Sequence, residues 1–246
     1  MSGSSLILHC GGEPVTRDDL STIVAPEPTR TWHPVPHSLL LETVEQSFGR
    51  AGFEIAKQQY GVSHEGNRFF GVMDLVSEIT EGVNVAVGLR NSTDKSMPAA
   101  ACLGEHVFVC DNLAFSAEVS FTRRHTARIL ADLPGLVDGA VAQVGAYRDT
   151  AVQRVEGMQQ RRITDQRAHD LVVRAADARA VSWQDVPKVL QEWREPQHDE
   201  FKPRNAWSLY NAFTEVYKSR FGRNPADTAS RTVRLNALLT ETVLGN

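Results

Sequence analysis

Cysteine is scarce in this chain: three among 246 residues, Cys10, Cys102 and Cys110. So small and odd a number builds no disulfide framework, so a packed core must carry stability and a reducing compartment, the cytoplasm, is expected. No apolar run approaches the roughly 20 residues that span a bilayer, and no membrane partner is expected. The first ten residues hold a short apolar patch, Leu6, Ile7 and Leu8, with no basic residue before it, unlike a secretory signal. Also missing are the phosphate loop G-x-x-x-x-G-K-[ST], the nucleophile elbow G-x-S-x-G, the zinc helix H-E-x-x-H and a glycine-rich dinucleotide turn. These absences count against a nucleotide-driven enzyme or a serine hydrolase, and no cofactor is expected. A basic excess is lacking too, since 26 Lys and Arg face 30 Asp and Glu for a net charge of −4.

What is present is a chain 41% hydrophobic, enough to bury a core, with an uneven charge distribution. Residues 1–82 carry 5 basic and 11 acidic side chains, a net −6, whereas residues 123–179 carry 10 arginines against 7 acids, a net +3. Residues 83–122 stand at −2 and 180–246 at +1. Arginine is the better fork for phosphate but also a good helix former, so the basic part reads first as a solvated helix face.

The pattern predicts an α+β fold: an antiparallel β-meander, then a long helix, then a C-terminal helical subdomain. Residues 1–37, broken by Pro14, Pro26, Pro28, Pro34 and Pro36, read as an extended arm without regular elements. Residues 38–180 read as the α+β core. Leu40, Leu41, Val44 and Phe48 lie on one helical stripe that Ser38 and Glu42 would open and Gly52 would close. Strands are expected over residues 53–60 and 68–77, with a turn at 64–67. The clearest alternation lies in residues 83–90, where Val83, Val85, Val87 and Leu89 oppose Asn84, Ala86, Gly88 and Arg90, and it recurs over residues 114–122. Between them come a polar loop at 91–96 and an apolar run at 107–111 that reads as a central strand. A helix capped by Thr126 follows, which Pro134 and Gly135 should kink. Residues 181–246 read as the helical subdomain, with the strongest amphipathic stripe on Ala206, Leu209, Tyr210, Phe213, Val216 and Tyr217.

Candidate chemistry is sparse. His33 and His37 are four apart, but Pro34 and Pro36 forbid the helical turn that would join them, so this segment reads as a strap docked by Trp32 and Val35. Cys102, His106 and Cys110 share a four-residue spacing, but Gly104 is expected to turn the chain between them and no fourth ligand follows, so no metal is expected. The loop after Arg90, with Asn91, Ser92, Thr93, Asp94, Lys95 and Ser96, mixes cations, an amide and hydroxyls in the manner of an anion grip. Arg123, Arg124, His125 and Arg128 make a second cationic cluster where strand gives way to helix. Arg123 and Arg124, being adjacent, must diverge, so only one can share a groove with Arg90.

Several segments carry a resemblance: Pro34-Val35-Pro36-His37, Phe69-Phe70-Gly71-Val72, Gly88-Leu89-Arg90-Asn91-Ser92, residues 107–113, Arg124-His125-Thr126 and residues 206–215. Together, in this order, the chain resembles a family of phage- and plasmid-borne proteins known only as domain of unknown function number nine hundred and thirty-two. The resemblance implies a mobile-element protein and supplies no catalytic residues. Thr93 stands where that family more often has histidine. In architecture, a meander running into a long helix is similar to single-strand annealing recombinases. That likeness implies single-stranded DNA in a cationic groove between hairpin and helix, subunits assembled as homo-oligomers, and no cofactor.

The expectation is therefore a non-enzymatic DNA-binding protein acting in recombination. Arg90, Lys95, Arg123, Arg124 and Arg128 would contact phosphate, while Asn91 and Asn112 would shape the loops. One alternative is an accessory protein that engages a host defence protein through the acidic N-terminal half, mimicking DNA charge. Another is an enzyme with a site around His106, Asp111 and His125.

Overall fold

The computed structural model describes residues 12–107, 112–221 and 225–245. Six strands form one antiparallel sheet in sequence order: β1 (Glu13–Val15), β2 (Ile55–Ser63), β3 (Arg68–Thr80), β4 (Val83–Ser92), β5 (Ala99–Val107) and β6 (Asn112–Arg123). The alternation in β4 sets the two faces. Val87 pairs with Met73 on one side and Leu103 on the other, all three buried, while Gly88 pairs with Val72 and Cys102 on the opposite face.

Helices cover the first face. α2 (His37–Arg50) lays Leu40, Leu41, Val44 and Phe48 on it, each at most 2% exposed, and Gly52 at φ +78° ends the helix, a left-handed conformation glycine adopts without a Cβ clash. α3 (Ile129–Val141) adds Val137 and Val141, which line a small apolar cavity with Val44, Phe48, Val87 and Leu103. α4 (Val144–Gln160) crosses the far end of the sheet, where the Tyr147 hydroxyl donates to Glu105 at 3.3 Å. On the second face Phe70, Val72, Arg90 and Cys102 are half-buried and Thr122 is exposed.

The remaining helices are α5 (Asp165–Asp177), α6 (Val186–Arg194), α7 (Ala206–Phe221) and α8 (Pro225–Leu239). Trp193 on α6 donates its Nε1–H to Asp165 at 2.9 Å, and Tyr217 on α7 donates to the Ala180 carbonyl at 2.7 Å. One continuous apolar core runs from Leu20 through the sheet to Leu239.

The α+β meander followed by helices stands as expected, and three local expectations change. The N-terminal segment is not devoid of elements: β1 pairs with β2, and α1 (Arg17–Thr22) starts at a capping box in which Thr16 and Asp19 exchange hydrogen bonds. Pro14 is tolerated because β1 is an edge strand. Gly104 does not turn the chain; β5 runs through it with a register shift between Cys102 and Gly104, which keeps Cys102 in the strand. Of the run 107–111, which reads as a central strand in the sequence, Val107 closes β5 and residues 108–111 lie outside the described residues. Finally, α3 begins at Ile129 with Arg128 at its cap, continues through Pro134, and gives way to α4 only at Ala142 and Gln143. Pro134 leaves the Leu130 carbonyl unbonded, but Leu130 is 47% exposed, so water can take that bond.

By length and composition Ile129–Gln160 is apolar enough to cross a membrane. Its apolar residues Ile129, Leu133, Val137, Val141 and Val144 are instead buried in the core.

Candidate nucleic-acid interface

The end of the sheet where β4 stops and β5 begins gathers four of the motif segments around one buried polar network. The residues before α2 cross this end as a strap. Asn91, fully buried at the end of β4, donates from Nδ2 to the Val35 carbonyl at 2.7 Å and to His37 Nδ1 at 3.0 Å. His37 Nε2 meets the Gly66 carbonyl at 2.9 Å. A carbonyl only accepts, so Nε2 carries the proton, Nδ1 accepts, and His37 is neutral. Its ring stacks on Phe69 with centroids 5.4 Å apart. From the other side the Val35 N–H donates to His125 Nδ1 at 3.2 Å, and the His33 N–H donates to the His125 carbonyl at 2.9 Å. His125 therefore also accepts at Nδ1. Burial holds both imidazoles below the ordinary histidine range.

Around this network sit the cations. Arg90 lies directly across from Phe70 on β3 and Ala100 on β5, on the face opposite the one α2 covers. Its Nε is buried and has no hydrogen-bond partner among the described residues. Ala100 pairs with Thr122, and Arg124 follows one residue beyond the end of β6. It is exposed and makes no ion pair among the described residues. Two strand spacings and two residues put it roughly 12 Å from Arg90 at the Cα. Lys95, at φ +67° in the loop after β4, places Nζ 4.8 Å above the Trp32 ring.

The two adjacent arginines diverge as expected. Arg123 turns to the helical face and bonds Asp132, whose carboxylate also lies 3.6 Å from Arg128. Arg128 is nonetheless 83% exposed. Asn112 stands apart: it opens β6 opposite Val107, eight residues of β5 from the Ala99 and Arg123 pair, roughly 26 Å away. Its side chain lies outside the described residues. Asn91 is spent on the strap, in keeping with a role in shaping the loop.

The histidine alternative is not assembled at one place. His106 bonds Asp74 through Nδ1 at 2.8 Å, buried, roughly 20 Å along β5 from the strap end where His125 sits. Asp111 and Cys110 lie outside the described residues. Among the described residues no three His, Cys, Asp or Glu side chains converge on a metal position. Burial pushes the Cys102 thiol up to about 12, which keeps it protonated.

Sequence reading missed a second buried cluster. Glu105 pairs with Val85 on the apolar face and meets Arg154 of α4, the two side chains being 2% and 8% exposed. The signal was available, since Glu105 falls on the core parity of β5. Its partner stands 49 positions on, beyond any local spacing.

A family model described as a domain of unknown function (DUF932) matches residues 28–239. No curated protein and no solved structure matches the chain.

Proposed function

The chain belongs to the DUF932 family, and we propose that it binds single-stranded DNA without chemistry, as an annealing protein of a phage or plasmid that works as a homo-oligomer in the bacterial cytoplasm. One observation carries this reading. Arg90 lies at the strap end of the sheet face opposite α2, with Phe70 directly across from it; the exposed Arg124 follows the end of β6, and Lys95 stands at the rim. None of these three cations is bound to a carboxylate among the described residues, in contrast to Arg68 with Asp94 and Arg123 with Asp132. A flexible strand laid across this end would meet phosphate partners at Arg90 and Arg124 and an aromatic ring on the β3 side of Arg90, the combination by which single strands are held without sequence preference.

Three phosphate contacts on a single strand give a slope of log affinity against log salt of about −2. Arg90→Ala with Lys95→Ala should flatten that slope to about −0.7 and weaken binding at low salt. Fluorescence anisotropy of a labelled oligonucleotide measures both. A double variant with unchanged affinity and slope places DNA elsewhere or nowhere.

A further inference from the structure

The strap contributes a ring to the same end of the sheet, and that ring is prepared for a ligand in a way the chain's buried tryptophans are not. Trp193 and Trp207 are 2% and 5% exposed and serve the core. Trp32 is half-buried, with part of its ring at the surface, and its position is fixed by backbone bonds on both sides. The Thr29 N–H donates to the Trp32 carbonyl at 2.8 Å, the Trp32 N–H donates to Thr29 Oγ1 at 3.1 Å, and the next residue, His33, is tied to the His125 carbonyl. Pro34, Val35 and His37 then anchor the strap into the buried network, so the indole cannot swing away with its segment.

What lies over this fixed ring is a lysine. Lys95 Nζ sits 4.8 Å from the centroid, and the His125 ring is tilted at 48° with its centroid 6.5 Å away. A cation over an aromatic face at an exposed site is weakly held, and the lysine stem is flexible. The indole Nε1 is buried with no hydrogen-bond partner among the described residues.

We propose that Trp32 is the base-stacking platform of the single-stranded DNA site. This rests on the reading above and adds the residue that recognises the base. An incoming base takes the place of the Lys95 ammonium on the indole, and the ammonium moves off the ring to the adjoining phosphate. The exchange costs a weak cation and ring contact and returns two interactions, a stacked base and a charge-assisted phosphate bond. It also supplies the preference for single strands. Bases stacked in a duplex have no free face to offer, whereas every unstacked base has one, whatever its identity.

The test is a titration of the full chain with oligo(dT), following tryptophan fluorescence and, in parallel, anisotropy of a labelled oligonucleotide. Wild type should be quenched on binding. Trp32→Phe should bind within a few-fold of wild type, because a phenyl ring still stacks, and should lose most of the quenching. Trp183→Phe, at a tryptophan that is 59% exposed and outside the sheet end, should keep it. Trp32→Ala should bind on the order of ten- to a hundredfold more weakly. It should also no longer distinguish oligo(dT) from an abasic oligonucleotide of the same charge, a distinction wild type makes. If oligo(dT) binds but quenching survives in Trp32→Phe and the Trp32→Ala variant still prefers bases over abasic sites, the platform is wrong and the DNA-binding reading stands. If wild type binds neither oligonucleotide at low salt, both fall.

Discussion

Glu105→Gln lowers the unfolding free energy by about 3–5 kcal/mol, the cost of leaving a buried guanidinium without its carboxylate. Glu105 and Arg154 are 2% and 8% exposed, one on β5 and the other on α4, so neither can turn to water when the other is removed. Burial already pushes the Arg154 guanidinium below its ordinary range, which records the penalty that the carboxylate offsets. For a domain of this size such a loss lowers the melting temperature on the order of 10 °C. Removing both charges together should be far milder: Glu105→Leu with Arg154→Met should recover most of the stability, since a packed apolar pair needs no mutual solvation. Urea unfolding of the two variants measures this. A Glu105→Gln variant within 1 kcal/mol of wild type would show that water reaches the pair.

Acidification from pH 7 towards 5 should destabilise the chain, and the strap is where it acts. In the folded protein His37 and His125 each accept a hydrogen bond at Nδ1, from Asn91 and from the Val35 N–H, so protonation there sets donor against donor. Burial lowers both values below the ordinary 6.5, and His125 lowers that of His37 further. The groups facing them do not reverse this. The Gly66 carbonyl and Asp94 favour the charged form of His37, and backbone bonds to His33 and Met97 favour that of His125, but burial outweighs them in each. The unfolded chain therefore takes up protons near pH 6.5 that the folded chain refuses. The stabilisation is fully present above that pH and is lost progressively as pH falls through and below it, by up to about 1.4 kcal/mol per pH unit for each histidine. Unfolding free energies measured between pH 7.5 and 5 should show this fall, and His37→Gln with His125→Gln should flatten it at a lower overall stability. A wild-type profile flat over that window would mean that the strap is held by other bonds.

Particular residues show which features the sequence could disclose. The alternation of Val83, Val85, Val87 and Leu89 announces β4, because a half-buried strand must sort its side chains by face. β5 hid next to it. Ala99, Ala100, Ala101 and Gly104 have low strand preference, and the strand forms because β4 and β6 flank it on both edges. α1 was obscured by the prolines around it, although Thr16 and Asp19 spell its capping box. The cationic residues of the interface were legible as local clusters. The network beneath them was not, since Asn91 meets Val35 across 56 positions and His125 meets Val35 across 90. The motif segments could be recognised together in the linear chain; that four of them meet at one end of the sheet becomes visible only when the strap is folded across it.

The central claim, that the strap end of the sheet with Arg90, Arg124 and Lys95 holds single-stranded DNA, is met most directly by the wild-type chain and a labelled single-stranded oligonucleotide titrated at salt concentrations from 20 to 200 mM, on the order of the range over which phosphate contacts weaken. Binding at the lowest salt, with log affinity falling along a slope of about −2 and a duplex of equal length bound more weakly, is the predicted result. No binding at the lowest salt, or an affinity indifferent to salt, contradicts it.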